Sequence, residues 1–206
     1  MRAPESKADI SFQIYSALAY GMKSISFYRY MEGWPSEDTD CLSSMVKYDE
    51  SDPAKVVKTK VYGAVQSVNN EIKSIDQVLM NCDWQGTLAF SKYGATETSD
   101  LLKEVGSCLD KTYSNTRIRS VKATEEVIAG CLQDQGKRDV FVWVNATDPG
   151  AGLREECTIT FSDAHLAVIY QDGRKNIVRL ENGVCKLNLN AGQGAVVIPI
   201  SKNAVK

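Results

Sequence analysis

The stretch "EVIAGCLQDQGKRDVFVWVNAT", residues 126–147, decides the fold because it holds two β-rich runs divided by the turn residues "DQGK". Short runs bounded by turn residues are typical of antiparallel strands. Further runs of this kind occur after residue 82, namely "GTLAF", "IRSVKA", "CTITF", "HLAVIYQ", "NIVRL", "VCKLNL" and "GAVVIPI". The turns "QDGR" and "ENG" contain Asp-Gly and Asn-Gly pairs, which favour hairpins. Residues 83–206 are therefore predicted to form an antiparallel β-sandwich or barrel.

Residues 8–20 show a different, helical pattern. Apolar side chains recur there at spacings of three and four, including Ile10, Ile14 and Leu18. Gly21 is placed to end this helix, because glycine adopts the left-handed conformation of a C′ residue without strain. The aromatic stretch that follows, "SISFYRY" at residues 24–30, is predicted to be a strand.

A second helix is predicted from the apolar stripe between Val57 and Leu79. Its members are spaced by three or four residues, and they are Val57, Val61, Val65, Val68, Ile72, Ile75 and Leu79. Asp52 and Pro53 precede the stripe, so we expect them to be the cap and the first helical residue. The helical pattern stops after Cys82. We therefore place a domain boundary near residue 83.

Charge and hydrophobicity exclude several classes of protein. The 24 basic and 26 acidic side chains nearly cancel, and no basic stripe suits a phosphate backbone. No apolar run is long enough to span a bilayer, and the N-terminal residues do not resemble a signal peptide. The sequence therefore predicts no nucleic-acid partner and no membrane partner, and it favours a cytoplasmic location.

The cysteines argue against a metal site. Six cysteines are spread along the chain without a C-x-x-C motif, and one histidine cannot complete a zinc site of two cysteines and two histidines. The even number leaves disulfides open, whereas the low cysteine content favours reduced, buried thiols. No cofactor motif occurs either. We predict that the protein holds neither a metal nor a cofactor.

Two segments of the first 82 residues carry a family resemblance. The segments "ADISFQIYSALAYGMKSISFYRY" (8–30) and "KTKVYGAVQSVNNEIKSIDQVL" (58–79) resemble the end of the (β/α)8 barrel in clan-A glycoside hydrolases, especially bacterial β-galactosidase-like enzymes of family 42. The segments "EVIAGCLQDQGKRDVFVWVNAT" and "LNLNAGQGAVVIPI" resemble the small β-sandwich that ends such enzymes. The resemblance thus covers nearly the whole chain.

The resemblance implies an α+β fold with two domains. Residues 1–82 would be a helix-strand-helix remnant of the barrel, with its eighth strand at 24–30, and residues 83–206 would be the β-sandwich. In clan-A enzymes the two catalytic carboxylates lie at the ends of barrel strands four and seven, which this sequence does not contain. The resemblance therefore implies no catalytic residue here. It implies carbohydrate as a partner, and pairing with the missing barrel portion or self-association.

The resemblance also implies where substrate would bind. Tyr28, Tyr30 and Trp34 follow the eighth strand, at the rim where barrel active sites lie, and aromatic faces can stack on sugar rings. We take these three as candidate substrate-binding residues and leave open that they only pack. For Phe27 we favour ordinary packing. Glu32 at the same rim is interpreted as a solvated loop charge rather than a functional carboxylate.

Other residues that could carry chemistry have simpler interpretations. His165 opens a β-rich run and no G-x-S-x-G motif accompanies it, so we expect a surface or strand-end histidine. Asn145 in "NAT" matches a glycosylation pattern, but a turn at the end of a strand is preferred. Trp84 and Trp143 are predicted to lie in the sandwich core.

Two functions are consistent with the sequence. The first is the C-terminal portion of a carbohydrate-active glycoside hydrolase, inactive alone because the strands with the catalytic carboxylates are absent. The alternative is a free-standing carbohydrate-binding or structural β-sandwich module. The sequence does not identify the sugar or the linkage.

Overall fold

The computed structural model describes residues 6–27, 30–31, 44–52, 54–94 and 115–202. The helices in this part of the chain are α1 (Lys7–Ala19), α2 (Lys60–Lys73) and α3 (Asp76–Met80). The strands are β1 (Val46–Tyr48), β2 (Val56–Lys58), β3 (Cys82–Phe90), β4 (Ile118–Ala123), β5 (Val127–Asp134), β6 (Asp139–Asn145), β7 (Glu155–Phe161), β8 (Leu166–Gln171), β9 (Arg174–Arg179), β10 (Val184–Leu189) and β11 (Gly194–Ile200). The fold is α+β, with most residues of regular structure in antiparallel sheets.

Two sheets pack as a sandwich. One has six strands in the order β3-β5-β6-β11-β8-β9, and the other has three in the order β10-β7-β4. Every pair of neighbouring strands in these two sheets is antiparallel. Each of the nine β-rich runs quoted from the sequence lies largely within one of these strands. The sandwich-like arrangement predicted for the second part of the chain is confirmed.

Helix α1 matches the helix predicted at residues 8–20 to within one residue, and Gly21 follows it as predicted. The Ser6 hydroxyl accepts from the Asp9 amide and the Asp9 carboxylate accepts from the Ser6 amide, which together form a capping box. At the other end, Gly21 has a φ of 78°. Its amide donates to the Leu18 carbonyl at 2.9 Å, and the next amide, of Met22, donates to Ala17 at 3.1 Å. This pairing is a Schellman motif.

The second helix begins later than the sequence predicts. Val57 lies in β2, which pairs with β1, and the helix starts at Lys60 after Thr59. The Thr59 hydroxyl donates to the Ser44 carbonyl at 2.6 Å instead of capping its own helix. The predicted helix is thus wrong at Val57, which follows the two-residue period of a strand, and it is divided at Ser74 and Ile75 into α2 and α3.

The predicted cap at Asp52 is also wrong. Asp52 lies in the turn between β1 and β2, where its carbonyl accepts from the Lys55 amide at 2.9 Å and its carboxylate accepts from Ala54. An aspartate that precedes a turn and one that precedes a helix have the same local sequence signal. Pro53 lies outside the described residues.

The predicted strand at residues 24–30 is wrong over residues 24–27, which join no sheet. Further on, Met31 forms a single parallel bridge with Val46, whose amide donates to the Tyr30 carbonyl at 2.9 Å. A strand needs a neighbour for its backbone hydrogen bonds, and the described residues supply one bridge here. A barrel origin for residues 1–82 therefore stays a prediction.

The six-stranded sheet has an apolar core on each of its faces. Between the two sheets lies one core, whose largest buried side chains include Trp143, Phe141 and Phe161. The other core lies between the six-stranded sheet and the helices, and Val68 of α2 is fully buried in it. This helix core joins residues on both sides of residue 83. The division into domains 1–82 and 83–206 stays a prediction, while the packing is continuous.

Helix α1 lies directly against the six-stranded sheet at two glycines. A β-carbon on Gly130 of β5 would overlap the Ala19 backbone, and one on Gly194 of β11 would overlap the ring of Tyr15. The helix therefore sits over β5, β6 and the first residues of β11. No described helix is both long and apolar enough to cross a bilayer.

The four cysteines in the described residues are buried thiols outside any disulfide, namely Cys82, Cys131, Cys157 and Cys185. Burial raises the pKa of Cys157 to about 12 and that of Cys185 to about 11. Reduced, buried thiols are thus confirmed for these four. Cys41 and Cys108 lie outside the described residues.

Candidate functional site

Only part of the predicted aromatic rim falls within the described residues. Tyr28, Trp34 and Glu32 lie outside them. Tyr30 is described, and 59% of its surface is exposed. Phe27 is half-buried and packs against the core between the helices and the sheet, as predicted. The substrate-binding role of Tyr28, Tyr30 and Trp34 stays a prediction.

The two tryptophans differ. Trp143 is fully buried between the sheets, as predicted. Trp84 is 41% exposed, so its assignment to the sandwich core is wrong. A β-bulge between Trp84 and Gly86 turns the indole out of the alternation of β3, and its ring nitrogen donates to the Thr87 hydroxyl at 3.0 Å.

Asn145 and His165 lie at ends of strands. The Asn145 amide is fully buried and donates to the carbonyls of Leu153, Leu189 and Asn190. A buried amide with these partners stabilises the turn after β6. This confirms the interpretation of Asn145 as part of a strand-end turn rather than as a glycosylation acceptor. His165 immediately precedes β8, as predicted, and its Nδ1 atom is buried with no hydrogen-bond partner in the part of the chain that the structure describes.

A large open cavity of about 840 Å³ lies on the helix side of the six-stranded sheet, beyond the area that α1 covers. We call it the sheet groove. Strand register explains its floor, because Val196 lies opposite Tyr170 and Ile198 lies opposite Val168. Side chains of facing residues point to the same side, so β8 and β11 present an apolar surface that continues the helix core. The floor consists of Val140, Val168, Tyr170 and Ile198.

Polar side chains surround this floor. Helix α3 supplies Gln77 and Asn81 on one side, and the turn between β5 and β6 supplies several charged residues on another. The charged residues of the groove are Arg117, Asp134, Lys137, Arg138, Asp139 and Lys175. Four are basic and two are acidic, so the groove has a net positive formal charge.

Arg117 and Asp139 form a loose pair at one end of the sheet groove. The Arg117 Nε atom is 3.9 Å from the Asp139 carboxylate, and its Nη2 atom donates to the Ser201 hydroxyl at 2.7 Å. Burial raises the pKa of Asp139 above its ordinary value, Arg117 opposes that shift, and Asp134 adds to it. The Nε atom itself is buried and has no acceptor among the described residues.

Asp134 is occupied within its own turn. Its carboxylate accepts from the Arg138 backbone amide at 2.9 Å and from the Arg138 guanidinium at 2.6 Å. Burial raises the pKa of Asp134, but the hydrogen bonds from Arg138 outweigh burial and hold it below the ordinary value. Asp134 is therefore a fixed anion in an ion pair, in contrast to Asp139.

Tyr170 supplies an aromatic face in the groove. Its ring is half-buried, and the ammonium group of Lys175 on the neighbouring strand lies 5.8 Å from the ring centroid. This contact is within the range of a cation–π interaction. The groove thus combines a ring, amide side chains and charged donors around an apolar floor, which is the usual composition of a site for a polar organic ligand.

A smaller cavity of about 250 Å³ lies between the first residues of α1, the last turn of α2 and two turns of the six-stranded sheet. Lys7 pairs there with the buried Glu71 at 2.6 Å, and Gln193 donates to Asp172 at 2.5 Å. Burial, Glu71 and Asp172 all raise the pKa of Tyr15, so its hydroxyl stays protonated. These contacts join α1 and α2 to the turns of the sheet, and we interpret the cavity as a structural contact.

Glu155 is a fully buried carboxylate with a structural role. Its oxygens accept from the Glu125 amide at 2.6 Å and the Thr124 amide at 3.1 Å, in the turn between β4 and β5. Burial raises the pKa of Glu155, while these hydrogen bonds lower it. Its acceptor positions face backbone donors rather than a cavity.

Comparisons with protein-family models, curated proteins and solved structures give no match for this chain. Within the described residues, no group of three or more histidine, cysteine, aspartate or glutamate side chains is placed to hold a metal ion.

Sequence patterns alone do not reveal the sheet groove. The alternation in "HLAVIYQ" places Val168 and Tyr170 on one face of a strand. Arg117 and Gln77 come from segments far from β8 in sequence, and no motif connects them. The order of strands in the sheet brings these residues together, and local periodicity does not specify that order.

Proposed function

We propose that this chain is the C-terminal portion of a carbohydrate-active glycoside hydrolase, that it binds carbohydrate, and that it does not cleave glycosidic bonds by itself. The sheet groove is the observation that carries this proposal. It is open to solvent, large enough for several sugar rings at about 840 Å³, and lined by groups suited to sugars.

The groove suits a saccharide because sugars have both apolar and polar faces. The C–H face of a pyranose ring can stack on Tyr170, as sugar rings stack on aromatic side chains generally. Hydroxyl groups need donors and acceptors, which Gln77, Asn81 and Arg117 can supply. The Asn81 Nδ2 atom already donates to the Gln77 carbonyl at 2.7 Å, which holds that amide in place and leaves its oxygen as an acceptor.

Among the described residues, the groove does not offer the pair of carboxylates that hydrolysis needs. Retaining glycosidases use two carboxyl groups about 5 Å apart, one as nucleophile and one as acid/base. Of the two carboxylates here, Asp134 is bound twice by Arg138. Asp139 alone could not fill both roles. The family resemblance places the catalytic carboxylates on barrel strands that are not in this sequence, which agrees with a binding role.

A second candidate is a free-standing carbohydrate-binding or structural β-sandwich module. The observation that favours it is the shared core, in which Ile14 of α1 and Val65 of α2 pack with Val142 of β6. Helices joined to the sheet in this way need no barrel to cover them on that side. Both candidate functions place carbohydrate binding in the same groove. They differ in whether the chain belongs to a protein that also has a catalytic portion.

The test measures binding and hydrolysis on the same purified chain. A panel of oligosaccharides is screened for binding, and aryl β-galactosides and aryl β-glucosides are assayed for turnover with the wild type and Glu32→Gln. We expect weak binding of at least one oligosaccharide, with a Kd of about 1 mM, equivalent to about 4 kcal/mol, and no turnover. Turnover that disappears in Glu32→Gln would contradict the proposal, as would the absence of any binding.

A further inference from the structure

We propose that the ligand of the sheet groove is an acidic saccharide, one that contains a uronic acid, with Tyr170 as its stacking surface and Arg117 as the donor to its carboxylate. This inference rests on the proposed function, since it names the class of sugar that the same groove would bind. Three observations support it, namely an unused donor, the sign of the charge and the position of the aromatic ring.

The unused donor belongs to Arg117. Only 18% of its side chain is exposed, and its Nε atom has no acceptor among the described residues. The carboxylates of Asp139 and Asp163 are each 3.9 Å from the guanidinium, which is too long for a hydrogen bond. Leaving a buried charged donor unsatisfied is costly. A ligand carboxylate is the acceptor to which a guanidinium donates most strongly.

The charge of the groove selects an acidic ligand over a neutral one. Arg138 is neutralised by Asp134 at 2.6 Å, whereas Lys137 and Lys175 add positive charge at the rim without a matching acid among the described residues of the groove. Lys137 lies in the β5–β6 turn and Lys175 on β9, so the two come from different elements that line the groove. A neutral sugar would gain nothing from these charges, while a uronate would.

The aromatic ring distinguishes a saccharide from a simple anion. Tyr170 belongs to the apolar floor with Val168 and Ile198, and Lys175 lies next to its ring. A small inorganic anion could use Arg117, but it would leave the ring and the floor in contact with water. A uronate residue has an apolar ring face and a carboxylate, and both can be satisfied in the same groove.

The test compares a trisaccharide of galacturonic acid with its methyl ester, which has the same sugar ring without the charge. Binding to the full chain is measured by calorimetry at two salt concentrations. We expect the acid to bind at least about tenfold more tightly than the ester, a difference of about 1.4 kcal/mol, and to bind less tightly at the higher salt concentration. Equal binding of the acid and the ester would overturn the inference and leave the proposed function intact, whereas no binding of any saccharide would overturn both.

Variants locate the site. Tyr170→Ala should weaken binding of the acid by about tenfold or more, and Lys175→Gln should reduce the preference for the acid over the ester. Arg117→Lys keeps the charge but loses the planar donors of the guanidinium, so it should weaken binding of the acid more than binding of the ester. The matched control is Tyr93→Ala, because Tyr93 is 67% exposed and also lies under a lysine, Lys122, at 5.1 Å, outside the groove.

The control variant should bind like the wild type, and a thermal melt of each variant checks that it is folded. Loss of binding in Tyr93→Ala but not in Tyr170→Ala would overturn the assignment of the groove. If Arg117→Lys unfolds the chain, Lys175→Gln, which alters an exposed side chain, decides the charge argument instead. An unchanged preference for the acid in that variant would contradict the argument.

Discussion

Two aspartates in the groove differ in how their surroundings change their pKa values. Asp134 and Asp139 flank the same turn, yet hydrogen bonds from Arg138 lower the pKa of the first, while burial raises the pKa of the second. Composition cannot distinguish two aspartates five positions apart. The difference arises because Arg138 bonds directly to one of them, while Arg117 stays 3.9 Å from the other.

Asp139 gives a prediction about pH. Its pKa is higher in the folded chain than in the unfolded chain, so the folded state holds the proton more tightly. Its contribution to stability is therefore complete below the ordinary aspartate pKa of about 3.9 and is lost as the pH rises through the raised value. The variant Asp139→Asn has no carboxyl group to titrate at this position, so it does not lose stability in this way. We expect the free energy of unfolding of the wild type, relative to this variant, to fall between acidic and neutral pH.

Urea unfolding of both proteins at several pH values measures this difference. Asp163→Asn is the control, because Asp163 is equally far from Arg117 but its side chain is 68% exposed. A difference between wild type and Asp139→Asn that rises with pH would mean that Arg117, rather than burial, controls the Asp139 carboxylate.

At the scale of helices and strands, the sequence predicts those features that depend only on neighbouring residues. The capping residues of α1 and the glycine after it act within a few residues of sequence, and the nine β-rich runs follow their own alternation. The failures have the opposite cause. Residues 24–27 have the composition of a strand but no neighbouring strand, and the aspartate at 52 serves a turn rather than a helix. Strand pairing depends on segments that are distant in sequence, so no local sequence pattern predicts it.

Two glycine substitutions test how α1 and α2 are packed. Gly130→Ala would place a methyl group against the Ala19 backbone, so we expect it to destabilise the chain by about 1–3 kcal/mol, as overpacked cores do. Gly63→Ala on α2 meets nothing within 4 Å and should stabilise by about 0.4–1 kcal/mol through helix propensity. Chemical denaturation measures both. An unchanged or increased stability of Gly130→Ala would contradict the packing of α1 on β5.

At the scale of the whole molecule, the six-stranded sheet is the central layer. The three-stranded sheet covers one of its faces, and the helices cover part of the other. The part of the second face that no described helix covers is the sheet groove. The sequence predicts the sandwich and both long helices, but it does not predict which part of the sheet the helices cover. The position and extent of that cover decide where the groove is, so the groove could not be predicted either.

The shared core predicts the effect of removing the helices. A truncated chain that begins at residue 83 would expose Leu132, Val142 and Val196, which are now buried. Burial of such a side chain contributes about 1.5–3 kcal/mol. We expect the truncated chain to have a lower melting temperature than the full chain and to bind a hydrophobic dye. Equal stability without dye binding would show that residues 83–206 form an independent domain.

The central claim is that carbohydrate binds in the sheet groove of a chain that does not cleave it. An amide-resolved NMR titration of the full chain with the galacturonate trisaccharide tests this claim most directly. We predict that the perturbed amides cluster at Asn81, Tyr170 and Ser201, that the signals near Tyr93 stay unchanged, and that the trisaccharide stays intact. Perturbations centred on Tyr30 with an unchanged groove, or cleavage of the trisaccharide during the titration, would contradict it.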